Sequence, residues 1–104
     1  MDKVALMVWL QTKKGKEAEV EKFLCEAMPG VEDERGTSTW HALRTNDGTY
    51  IIFDTFPDEE SRQTHLSGRV ARTLEEKSSE LFSQPPVIEK LDISTVKMPE
   101  VIQY

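Results

Sequence analysis

Apolar residues fill every position of Val4–Leu10 ("VALMVWL"), so this strand turns Val4, Leu6, Val8 and Leu10 to one side and Ala5, Met7 and Trp9 to the other. Both sides therefore call for burial. After Gly15, "KEAEVEKFLCEAM" places Val20, Phe23, Leu24, Ala27 and Met28 at three- and four-residue spacing. That spacing predicts an amphipathic helix with its acids in water, stopped by Pro29-Gly30. In "TSTWHALRTNDGTYIIFDTF" two β-prone runs flank Asp47-Gly48, which predicts a tight hairpin. With those two residues as the loop, His41 faces Asp54 and Leu43 faces Ile52; on the opposite face Arg44 meets Ile51, Ala42 meets Phe53 and Trp40 meets Thr55. "FPDEESRQTHL" reads as a short helix opened by Asp58, with Glu59 and Glu60 at its positive end. Gly68 separates it from a second run with Val70, Leu74, Leu81 and Phe82 as its stripe, and Pro85-Pro86 stops that run. "VIEKLDISTV" closes the pattern as a charged strand, Val87, Leu91 and Ile93 on one face and Lys90, Asp92 and Ser94 on the other, as at a sheet edge.

The order strand, helix, strand, strand, helix, strand predicts a ferredoxin-like α+β fold. Two right-handed crossovers place the helices on one face of a four-stranded antiparallel sheet. The other face is then bare, yet the first strand and Tyr50–Phe56 are apolar on both sides. A patch of that kind predicts a homodimer, sheet against sheet.

Composition narrows the field further. The 104 residues form a single domain, with a core of about 3–98 and a tail at 99–104. A net charge of −6 argues against nucleic acid, whose phosphates demand a basic patch. One cysteine, Cys25, excludes an intramolecular disulfide and a cysteine-based metal site, and its place in a helical pattern predicts a small buried residue. No apolar run approaches a membrane span and no signal peptide is evident, so a cytoplasmic location is the default expectation. The carboxylates of "PDEES" suit a helix start, so no metal site is expected there.

With its "KKGKEAEVEKFL", "ERGTSTW", "DGTYIIFDTFPDEESRQTHLSG" and "PPVIEKLDISTVKMP" segments, the chain resembles the antibiotic biosynthesis monooxygenase domain of the dimeric α/β-barrel superfamily. The resemblance spans Val4 to Pro99. Glu34-Arg35-Gly36-Thr37 departs mildly from the family's usual Glu-Pro-Gly-Thr, and His41 stands where an aromatic or aliphatic residue is more usual. What the resemblance implies is a homodimeric barrel with a pocket between sheet and helices in each subunit. Its enzymes oxidise quinols or polyphenols with molecular oxygen and no cofactor. One branch binds and degrades haem, and other members are without established activity.

Such chemistry needs a proton acceptor, oxyanion donors and a dry apolar site. His65 matches a position where many family members carry histidine before leucine, and it shares a helix face with Ser61 and Arg62. It reads either as a base in the pocket or as a C-terminal histidine answering the helix dipole. His41 with Asp54 reads either as an oriented acid–histidine pair or as an ordinary cross-strand contact. Trp40 reads as a stacking wall or as core, and Arg44, Arg62, Phe23 and Phe53 complete the expected substrate-binding set. Three functions follow: a quinol monooxygenase, a non-catalytic dimer holding a small apolar ligand, and, less favoured, haem binding.

Overall fold

The structure, a computed structural model, describes residues 1–99. The tail expected at 99–104 lies, from residue 100 onward, outside the described residues. The seven elements run β1 (Val4–Gln11), α1 (Glu17–Glu32), β2 (Thr39–Arg44), β3 (Thr49–Phe56), α2 (Glu59–Leu66), α3 (Arg69–Leu81) and β4 (Val87–Asp92). The four strands form one antiparallel sheet in the order β2-β3-β1-β4, the ferredoxin-like arrangement read from the chain. Among the described residues no helix is long and apolar enough to cross a membrane.

Helix α1 corrects two expectations. It continues through Pro29 to Glu32 instead of ending at Pro29-Gly30. Pro29 lies on the exposed side, and the added turn buries Val31, an apolar anchor that offsets the missing backbone donor. Cys25 is exposed, not buried. The buried stripe is Val20, Phe23, Leu24 and Val31, and a residue directly after Leu24 turns about 100° away from it.

The hairpin supplies the third correction. Four residues, Thr45 to Gly48, separate the two strands. The Thr49 N–H donates to Asp47 Oδ1 at 3.2 Å, the Thr45 hydroxyl donates to the same carboxylate, and Gly48 adopts a φ of +84°. A side-chain-tied turn ending in a left-handed glycine is favoured over the two-residue loop. Every pairing shifts by one as a result: Trp40 stands opposite Asp54, and His41 opposite Phe53. The expected His41–Asp54 pair does not form, nor do Trp40–Thr55, Arg44–Ile51 and Ala42–Phe53.

Strand alternation then separates two faces. Leu6, Val8, Ile52 and Asp54 look toward the helices. Met7, Trp9, Ile51 and Phe53, with Leu43 and Val87 on the edge strands, look the other way. That second face is apolar and open: Trp9 is 38% exposed, Val87 48% and Leu43 49%. Only its end is closed, where Asp2 Oδ2 accepts the Thr55 hydroxyl at 2.7 Å.

Candidate functional site

The helices do not seal the inner face of the sheet. Between them and β1, β2 and β3 lies a cleft of about 770 Å³, walled by Val8, Ile52, Phe23, Trp40, Val70 and Leu74 among others. This is the size of a small-molecule site, and its wall is largely apolar. Asp54 and His65 face it, while Lys13, Glu75, Ser83 and Gln84 also line it.

His65 reaches this place because α2 is short and firmly started. Asp58 caps the helix, accepting the Ser61 N–H at 2.8 Å, and that bond holds the Asp58 carboxyl below the ordinary carboxylate range. One further turn carries His65 beneath the sheet, where its ring lies 5.4 Å from the Phe56 ring, centroid to centroid. Its two nitrogens meet two carboxylates. Nδ1 lies 2.5 Å from Glu34 Oε1, and Nε2 lies 3.0 Å from Asp54 Oδ2. The Asp54 contact is an ion pair by distance but not a well-directed hydrogen bond, since neither Asp54 oxygen has a hydrogen-bond partner.

Burial opposes charge on the imidazole, but the neighbouring Asp54 and Glu34 carboxylates outweigh it and raise the His65 pKa above its ordinary value. A carboxylate beside each nitrogen favours the charged form of the ring. The two carboxylates flank the ring edge to edge, the arrangement of an ion-pair cluster and not of ligands converging on a cation. Among the described residues no group of three or more histidine, cysteine or acidic side chains is arranged to hold a metal ion.

Glu34 is the member that the sequence reading did not single out. It lies in the loop after α1, and the Thr37 hydroxyl donates to its Oε1 at 2.8 Å. Gly36 lets that loop lie flat on α2, since a Cβ there would stand 2.7 Å from the Ser61 Cβ. The Glu-x-Gly-Thr spacing was the available signal: a glycine for close approach, and a threonine to hold the acid three residues before it.

The other expected site residues divide clearly. Trp40 and Phe23 line the cleft with His65 and Asp54. His41 and Phe53 stand opposite each other on the open face, their rings 6.4 Å apart, so neither reaches the cleft. Arg44 is exposed and lies 3.8 Å from Glu21 on α1. Arg62 is buried, but away from the cleft: its Nη1 donates to the carbonyls of Ala5 and Leu91, each at 3.1 Å, and its Nη2 pairs with Glu59. It fastens α2 to β1 and β4 and does not line the cleft.

No protein-family model and no curated protein sequence matches the chain. Among solved structures it is similar to the NE2512 protein of Nitrosomonas europaea, a protein of unknown function. The two share 42% identity over 97% of this chain and 98% of that one, with a TM-score of 0.91. A candidate antibiotic biosynthesis monooxygenase of Caulobacter crescentus is 20% identical, covers 90% of this chain and 92% of its own, and superposes with a TM-score of 0.79. Rv0793 of Mycobacterium tuberculosis is 14% identical over 96% of this chain and 99% of its own, with a TM-score of 0.77. At these last two identities the likeness is one of fold.

Proposed function

As the chain belongs to one family with the NE2512 protein and carries the fold of the antibiotic biosynthesis monooxygenases, we propose that it oxidises a small quinol or polyphenol with molecular oxygen. The observation that carries this reading is the cleft itself: a largely apolar cavity with one buried cluster of proton-handling groups on its wall. Trp40 and Phe23 would flank a flat ring, and Asp54 would take the hydrogen bond or the proton of its hydroxyl. The imidazolium of His65 would hold negative charge nearby as the ring gives up electrons. One oxygen atom replaces a ring hydrogen, the other leaves as water, and the quinol ends as a hydroxyquinone. The dry walls keep the electron-rich ring from solvent while oxygen reacts.

The apolar outer face supports a second copy packed sheet against sheet, closing the barrel that the fold implies. Haem fits the site less well. Both nitrogens of His65 face carboxylates, and His41 is on the opposite side of the sheet from the cleft, so the cleft presents no free imidazole to an iron. Oxygen uptake with 1,4-dihydroxynaphthalene and a panel of related quinols tests the proposal. Turnover above the buffer rate, lowered at least about tenfold by Asp54→Asn, is the expected result. A panel without turnover leaves the alternative, a dimer that holds an apolar ligand without changing it.

A further inference from the structure

Asp54 stands out within the cleft. It is 0% exposed, it faces the cavity, and neither of its oxygens has a hydrogen-bond partner. A buried carboxylate in that state is short of donors, and such a deficit in a cavity wall is met when a ligand supplies one. The other charged groups limit which ligand that can be. His65 is committed on both sides, to Glu34 and to Asp54 itself. Lys13 is exposed, with its ammonium on the Ser79 carbonyl at 2.5 Å. Arg62 and Arg44 do not line the cavity. Glu34 and Asp54 set two carboxylates against the one imidazole, and among the described residues the one other basic side chain lining the cavity is Lys13, held at the Ser79 carbonyl.

We propose that the cavity recognises an uncharged ligand through a single donor, a hydroxyl or N–H delivered to Asp54, and rejects anions of the same shape. This deepens the quinol reading by naming the ligand class of the same cavity, and it holds with or without oxidation. A phenol enters as the neutral species and is recognised through its O–H, while a carboxylate or phenolate set against Asp54 meets a second carboxylate and no donor. The walls give affinity without direction, and Asp54 gives the direction.

Titration calorimetry at pH 7 with three naphthalenes tests it on the unaltered protein: 1-naphthol, 1-methoxynaphthalene and 1-naphthoate. The naphthol is expected to bind at least about tenfold tighter than the ether, which lacks the donor, and the naphthoate more weakly than either. Asp54→Asn, which removes the charge and keeps the shape, is expected to bring naphthoate up about tenfold relative to naphthol. An ether that binds as tightly as the naphthol overturns the inference. So does a naphthoate that binds tightest, or a set of three that does not bind. The expected order without oxygen uptake refutes the oxidation and leaves the inference standing. Quinol turnover with ether and naphthol bound equally does the reverse.

Discussion

The two faces of the sheet are built from neighbouring residues of the same strands, yet they solve opposite problems. The inner face buries Leu6, Val8 and Ile52 and then breaks its own rule by burying Asp54 among them. The outer face carries Trp9, Ile51 and Phe53, with no charge among the three, and leaves them only partly covered. A face that is largely apolar and uncovered calls for a partner. A face that is covered but holds a buried carboxylate short of hydrogen-bond donors calls for a ligand. The difference is one of chemistry at alternate positions along the strand, and each can be altered without touching the other.

The largest effect is expected on the outer face. Trp9→Glu with Phe53→Asp places two charges at the proposed contact between copies and should turn a dimer into a monomer in sedimentation equilibrium, a twofold drop in mass. A monomeric unaltered protein would end the dimer reading directly. Next comes His65→Leu, which leaves Glu34 and the fully buried Asp54 without their cation. Its expected cost is about 3–5 kcal/mol in chemical denaturation at pH 6. The pH profile sharpens this further. His65 has a folded-state pKa raised above 6.5, so its contribution is complete below about that pH and fades as pH rises through the raised value. The unaltered protein should therefore lose stability on that rise, and His65→Leu should lose less.

Smaller still is Glu34→Gln. It keeps the contact but removes one of the two charges that support the imidazolium, so the midpoint of the His65 Cε1–H resonance should fall. A midpoint unmoved by the change would show that Glu34 is a spectator. The smallest effect belongs to His41→Ala, on the outer face and exposed, which should alter monomer stability by under about 0.5 kcal/mol and leave quinol turnover unchanged. Loss of turnover with His41→Ala and not with Asp54→Asn would put the chemistry on the wrong side of the sheet.

The fold was legible because alternation and helical spacing act over whole segments. Seven apolar residues in a row at Val4–Leu10 and the stripe Val20, Phe23, Leu24 survive any error of one position. The site depends on single positions, and there the reading slipped. The hairpin turned on whether Asp47-Gly48 is the whole loop, and the Asp47 carboxylate, by binding Thr45 and Thr49, made it longer. That shift of one exchanged Trp40 for His41 opposite Asp54. Arg62 looked available because charge is usually at the surface, and only the packed structure shows two carbonyls claiming it. The partnership of Glu34 with His65 joins residues 31 positions apart and is a product of tertiary folding alone.

Gly36 carries one more consequence, for how such a site can change over generations. The residue touches no ligand, yet a single added methyl would lift the loop from Ser61 and draw Glu34 away from the histidine. The acidity of the cleft can thus be retuned from outside it, by mutations that would look neutral to anyone comparing only its walls. Relatives with the same lining and a different residue at this turn are where divergence of activity should be sought first.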